Sequence, residues 1–205
     1  METDIIKIML ALGAIYGLGC FSTGYYLVRM RIGRDIRETG SGSASASNVG
    51  RMLGKTGFAI TFAGDLLKGL LAILVANYVA RGLSFAGLAM IAVVVGHIFP
   101  IQLRGRGGKG IATALGAMTA CDYRLALCLL GLFALLYLVS RQWLWCGMIV
   151  VLLAPLTASL LGLPLPFTLA VTAAAMLVLF AHGNNIRQGF RAEHASFPPA
   201  PTCGE

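Results

Sequence analysis

The residues best suited to chemistry fall in three polar stretches, and the first, residues 33–55, reads GRDIRETGSGSASASNVGRMLGK. Gly and Ser side chains are small enough for backbone N–H groups to approach a ligand closely. Serine hydroxyls beside Arg37, Arg51 and Lys55 suit an anion cradle, because a guanidinium grips phosphate oxygens in a bidentate fashion. Taken alone, the same composition fits a flexible linker carrying topology-setting arginines equally well.

The second stretch, Gly96–Thr113, reads GHIFPIQLRGRGGKGIAT. An apolar run ends in Gly-His-x-x-Pro, a glycine-rich basic turn follows, and a new helix begins. Free amides and the positive dipole end make a helix N-terminus a ready anion site. Lys109 and Arg106 add charge, and Gly107, Gly108 and Gly110 leave room for a phosphate against the backbone. Glycines clustered about a lysine at a helix start exceed what a plain basic turn requires, which favours the phosphate reading. The stretch is not a nucleotide-binding P-loop. Leu103 occupies the position of its first glycine, and Gly110 follows Lys109 where Ser or Thr would hold magnesium.

The third stretch, residues 180–193, reads FAHGNNIRQGFRAE. His182 and Asn185 are three apart and share a helical face, and Arg187, Arg191 and Glu193 continue it. By itself this is also an ordinary basic end to a membrane span. Asp65 and Lys68, one turn apart inside an apolar run, are expensive enough there to demand a reason. Mutual neutralisation is the simplest one, with both supporting the polar site from behind. No Ser-His-Asp set, cysteine–base pair or carboxylate pair stands out.

These stretches must be held together by apolar elements, because 58% of the 205 residues are hydrophobic and only 12% are charged. Lipid is the expected solvent. Long apolar segments run near 5–28, 57–80, 83–103, 123–139, 143–162 and 167–183, each approaching the roughly 20 residues a spanning helix needs. A seventh, 110–121, is too short to cross alone. The expected fold is all-α: a polytopic membrane protein with seven transmembrane helices, one of them short or broken.

Charge sets the expected topology. Apart from Lys7, Arg81, Arg124 and the intramembrane Lys68, all of the 16 Lys and Arg fall in loops on one side. The positive-inside rule then puts the N-terminus outside and the C-terminus in the cytoplasm, with all three polar stretches on the cytoplasmic face. The net charge of +8 is explained by topology, so no nucleic-acid partner is expected. The N-terminus lacks the basic opening of a signal peptide, and the first span is expected to be retained. Residues 1–193 read as one membrane domain and 194–205, rich in Pro and small residues, as a disordered tail. The five cysteines are scattered, without Cys-x-x-Cys or zinc-ligand spacing, so neither disulfides nor a metal are expected.

The three stretches, in order and spacing, resemble the PlsY family of acyl-phosphate:glycerol-3-phosphate acyltransferases over about residues 12–193. The matching pieces are D-I-R then G-S-G and S-N-V-x-R-x-L-G-K, D-L-L-K-G in the second span, G-H-x-x-P then G-G-K-G-I-A-T-A-L-G, and H-x-x-N-I before a terminal Glu. The resemblance implies a seven-helix enzyme of the bacterial inner membrane. It would move a fatty acyl group from acyl phosphate to the 1-hydroxyl of glycerol 3-phosphate, giving lysophosphatidic acid at the cytoplasmic face without cofactor or metal. It assigns phosphate binding to Ser41, Ser43, Arg51, Gly107, Gly108, Lys109 and Gly110, and catalysis to His97, His182 and Asn185. Asp65, Lys68, Arg37 and Glu193 would support them.

Acyl phosphate is already activated, so positioning and charge neutralisation matter more than a strong nucleophile. The resemblance points to the acceptor's own phosphate as the base, with His97 or His182 as the alternative. Departures are specific: Ser43, Ser45 and Ser47 stand where the family has Asn, Gly and Thr, and Gly19-Cys20 replaces Gly-Ser. Arg141–Gly147 lacks both serines of the family segment, at Leu144 and Gly147, which opens the question of the acceptor. A related acyltransferase for another alcohol, and a non-catalytic protein that binds phospholipid headgroups, are the competing readings.

Overall fold

A computed structural model describes the backbone of residues 2–195 and the side chains of residues 5–183. Among these residues the regular elements are helices: α1 (Glu2–Cys20), α2 (Thr23–Ile32), α3 (Ala46–Val79), α4 (Leu83–Ile98), α5 (Ile111–Cys121), α6 (Tyr123–Ser140), α7 (Trp143–Leu160) and α8 (Leu165–Ala195). Short 3-10 turns lie at Ile36–Glu38 and Ile101–Leu103. Six segments are long and apolar enough to cross a membrane: Ile5–Ile32, Ala46–Val79, Leu83–Leu103, Tyr123–Ser140, Trp143–Leu160 and Leu165–Gly183. Large apolar side chains such as Leu74, Tyr78, Leu138, Val139, Leu152 and Leu169 point outward, as lipid-facing helices require. Helix α5 has 11 residues and is about 16 Å long, half the roughly 30 Å of hydrocarbon. The expected tail lies outside the described residues beyond the end of α8.

Two boundaries differ from the hydropathy reading. The first apolar segment is two helices, broken at Phe21-Ser22, where Ser22 caps α2 by accepting from the Tyr25 amide at 3.4 Å. The α1 carbonyls opened by the break are met by side chains from elsewhere. Lys68 Nζ donates to Gly19 O at 3.2 Å and to Phe21 O at 2.7 Å, and Gln102 Nε2 donates to Cys20 O at 2.6 Å. Helix α3 begins at Ala46, well inside the stretch expected to be a loop, and bends at Gly54, whose φ of 70° only glycine adopts readily. Periodicity could not find either boundary, because both are set by tertiary partners.

Helix packing follows small residues, as expected where lipid offers no hydrophobic drive between helices. Gly19 and Gly96 face each other across α1 and α4, and a Cβ on either would collide with a backbone carbonyl of the other helix. Gly69 and Gly116 do the same for α3 and α5. Helix α4 is the most enclosed span; α8 packs on α4 and α7, and α6 packs on α5 and α7. Ile15, Ile73, Met90 and Phe167 fill the centre.

Candidate functional site

After α4 the chain makes an excursion through Pro100–Arg106 and then returns inward. The Gly107 amide donates to Ile98 O and the Gly108 amide to His97 O, both at 3.0 Å. Gly107 O in turn accepts from the Ala44 amide at 3.0 Å, tying the two loops together. Lys109 is thereby set beside the last turn of α4, next to His97. The expectation that Gly107 and Gly108 present free amides to a phosphate is corrected: both N–H groups are occupied. Their small size serves packing instead, since a Cβ at Gly108 would fall on the His97 imidazole and one at Gly107 on the His97 carbonyl.

The first loop is organised by Asn48, which is 1% exposed. Its Nδ2 donates to the carbonyls of Ile36, Thr39 and Ser43 at 2.9–3.2 Å, and its Oδ1 accepts from the Ser41 amide at 3.1 Å. Around it Ser41, Ser43, Ser45 and Ser47 form a row of hydroxyl contacts of 2.9, 3.1 and 3.3 Å. The turn at Gly40–Gly42, where both glycines have positive φ, leads into the start of α3 at Ala46, and along this path the four hydroxyls line up. The loop is therefore an ordered structure and not a flexible linker.

These pieces meet at a cavity of about 350 Å³. At its polar end stand Ser45, Ser47, Arg51, Asp65, His97, Lys109, Gly110 and His182; below them the walls are apolar, with Phe58, Phe62, Phe133, Trp143 and Met148 prominent. Trp143 makes edge contacts with Phe133, Tyr137 and Phe58 at centroid distances of 4.9, 5.9 and 6.5 Å. The helix starts at Ser45 (α3) and Gly110 (α5) both border the cavity, and neither has a side-chain cap. Two positive dipole ends therefore face one space.

Lys109 is 7% exposed, and its Nζ has no hydrogen-bond partner among the described residues. Burial first, and then the neighbouring charge of Arg51, lower its pKa to about 8. A buried ammonium with another cation near it, and no carboxylate partner among the described residues, is costly. Oxyanions supply what the pair lacks.

Behind the polar end lies a buried ionic cluster. Asp65 Oδ1 is 3.0 Å from Lys68 Nζ and 3.7 Å from His97 Nδ1, and accepts from Thr23 Oγ1 at 3.3 Å. This is the mutual neutralisation expected of Asp65 and Lys68, with His97 added. His182 Nδ1 lies 2.8 Å from its own helix carbonyl, Val178 O. A carbonyl only accepts, so Nδ1 carries the proton and Nε2 of a neutral ring keeps its lone pair.

The other expected residues are placed as follows. Ser41 and Ser43 stand back from the cavity and reach it through the hydroxyl row to Ser45. Arg37 turns away: it pairs with Asp35 at 2.6 Å, donates to Leu103 O at 2.7 Å, and lies 5.2 Å above the Tyr25 ring. Its hydrogen bonds hold the Asp35 carboxyl below its ordinary pKa, so it braces one loop against the other. Leu144 and Gly147, where the family segment has serines, do line the cavity, and a Cβ at Gly147 would meet open space. The side chains of Asn185 and Glu193 lie outside the described residues. Sequence reasoning passed over Ser45, Ser47 and Asn48 as contributors; the signal was the strict serine alternation, whose shared side depends on the turn at Gly40–Gly42 and the start of α3.

Comparison with known proteins agrees with this geometry. A family model described as glycerol-3-phosphate acyltransferase matches residues 9–192. Glycerol-3-phosphate acyltransferase 1 of Desulfitobacterium hafniense (strain Y51) is 41% identical over 187 residues, covering 91% of this chain and 92% of the relative. The Rubrobacter xylanophilus (strain DSM 9941 / JCM 11954 / NBRC 16129 / PRD-1) glycerol-3-phosphate acyltransferase is 36% identical, covering 89% and 91%. The crystal structure of PlsY (YgiH), an integral membrane glycerol 3-phosphate acyltransferase, in its glycerol 3-phosphate form superposes with a TM-score of 0.82 at 28% identity, covering 93% of each chain. With six membrane-length segments, five of which line one cavity, and a family match along nearly all of its length, this multi-pass membrane protein belongs to the glycerol-3-phosphate acyltransferase family.

Proposed function

We propose that this protein transfers a fatty acyl group from acyl phosphate to the 1-hydroxyl of glycerol 3-phosphate, giving lysophosphatidic acid for phospholipid synthesis. The observation that carries the reading is the cavity itself. A buried Lys109, unpartnered among the described residues, sits near two uncapped helix starts at the polar end, and an apolar well lies beneath. Both substrates carry a phosphate and one carries a long chain. The cavity offers a place for each.

In the proposed step the acceptor hydroxyl oxygen attacks the acyl carbonyl carbon, the C–O bond to phosphate breaks, and inorganic phosphate leaves with the electron pair. The hydroxyl proton passes to the acceptor's own phosphate. Lys109, Arg51 and the first-turn amides of α3 and α5 hold the oxyanions and offset the developing charge, while Ser45 and Ser47, linked to Ser41 and Ser43, donate hydrogen bonds. His182, with a free Nε2 lone pair, is the alternative base, and His97 positions the Lys109 loop through its contact with Gly108.

The active site is proposed to face the cytoplasm of a bacterial inner membrane, with the N-terminus outside. Supporting this, Arg29, Arg31, Arg34, Arg51, Lys55, Arg104, Arg106 and Arg141 share the end of the bundle that carries the polar stretches. The inward-returning loop and half-length α5 together would complete a seventh passage.

The test is turnover by purified protein of palmitoyl phosphate with a panel of alcohols. Lysophosphatidic acid with equimolar inorganic phosphate is expected. Turnover with another alcohol but none with glycerol 3-phosphate would defeat the reading, an outcome to which Leu144 and Gly147 draw attention. Accessibility labelling of a cysteine at Gly105 from the outer side would overturn the topology.

A further inference from the structure

The apolar part of the cavity has a floor. Along α7 the rise from Trp143 to Ala154 is about 16 Å, and along α6 it is about 16 Å from Ser140 back to Leu129. From His182 back to Ala174 it is about 12 Å, and from Ile111 to Met118 about 10 Å. All four of these deep residues line the cavity. One turn further along three of the helices, Leu125, Ala158 and Ala170 are buried in the core and do not line it. The well is closed at that level.

Half of a bilayer's hydrocarbon thickness is about 15 Å. The well is therefore about as deep as one leaflet, the length over which a membrane fatty chain extends. Two of its floor residues are alanines, at 2% and 0% exposure. Small residues there give the well its last turn of depth.

We infer that Met118, Leu129, Ala154 and Ala174 form a floor that measures the acyl chain of the donor. Ala154 and Ala174 keep full-length chains acceptable, and filling that space shortens the preferred chain. The inference rests on the acyl-transfer reading above. The competing path is sideways escape of the chain between α3 and α6 into lipid, in which case the floor measures nothing.

The experiment compares kcat/KM for decanoyl, palmitoyl and stearoyl phosphate, with glycerol 3-phosphate as acceptor, in the wild type, Ala154→Leu and Met118→Ala. Ala154→Leu is expected to lower the palmitoyl-to-decanoyl ratio about tenfold while keeping decanoyl turnover. Met118→Ala, which deepens the well, is expected to raise the stearoyl-to-palmitoyl ratio. A wild type inactive with every donor overturns the acyl-transfer reading and the floor with it. An active wild type with unchanged ratios in both variants overturns the floor alone. If Ala154→Leu loses all activity, an unchanged ratio in Met118→Ala is sufficient to refute it.

Discussion

Gly108 lies directly against the imidazole of His97, so that a Cβ at position 108 would fall on the ring at Nε2 and Cε1. The glycine is the seat of the histidine. Gly108→Ala is therefore expected to push the ring or the Lys109 loop aside, at an overpacking cost of about 1–3 kcal/mol. A lowered thermal midpoint together with lost acyl transfer would be seen; wild-type activity and stability in this variant would refute the contact.

Lys109→Ala should lower kcat by about 10²–10³, the size of effect seen when one charge-stabilising donor is removed. Lys109→Arg keeps the charge but changes the reach, and should retain a fraction of the activity. Steady-state kinetics with palmitoyl phosphate decide this, and an unimpaired Lys109→Ala enzyme would favour a headgroup-binding role.

The pH profile carries the same residue's signature. Lys109 is lowered to about 8 in the folded protein, chiefly by burial, so it is mostly charged at neutral pH and loses its proton as pH rises through that value. Because kcat/KM reports the free enzyme, it should fall above about pH 8. Lys109→Arg, whose guanidinium stays charged, should show a flat profile there; an identical fall in both would assign the titration elsewhere.

Asn48→Ala removes the shared partner of three loop carbonyls and the Ser41 amide; Ile36 O and Thr39 O keep backbone donors, while Ser43 O and the Ser41 amide lose theirs. Each buried group left unpaired costs about 1–3 kcal/mol. Loss of stability with a raised KM for the phosphate substrates is expected, because the serine row loses its frame. Unchanged KM in a folded Asn48→Ala protein would separate the row from binding.

Removing one member of the Asp65–Lys68 pair should destabilise by about 3–5 kcal/mol, since it strands a buried charge. The double variant Asp65→Asn/Lys68→Met should lose less than the two singles combined, leaving mainly the capping bonds of Lys68 unmade. Unfolding in detergent of all three variants measures the difference, and strict additivity would show that the pair is not coupled.

How far the sequence could be read depended on the range of the interaction. The apolar segments and the Asp65–Lys68 pairing were legible because hydropathy and i,i+3 spacing are local. The turn at Lys109 was legible from its clustered glycines as a tight loop at a helix start, but the use of Gly107 and Gly108 was not. Their amides bind the end of α4, a partner that only the inward return of the chain reveals. Guanidinium chemistry made Arg37 a candidate for the anion cradle while the family resemblance gave it a supporting place, and Asp35, two residues away, takes it. The start of α3 at Ala46 was hidden because Asn48, which anchors it, works through residues 36–43. His97 beside Asp65 is a meeting of α4 with α3 that no spacing encodes.

The break between α1 and α2 also bears on biogenesis. Among the described residues the side chains that satisfy the carbonyls of Gly19, Cys20 and Phe21 are Lys68 and Gln102, residues that leave the ribosome after the first segment has been made. A nascent chain holding just that segment carries three bare acceptors at bilayer depth, where each is costly. Its native bend becomes stable only once α3, and then the turn after α4, have arrived beside it, so this segment takes its final shape after elements that are made later than itself.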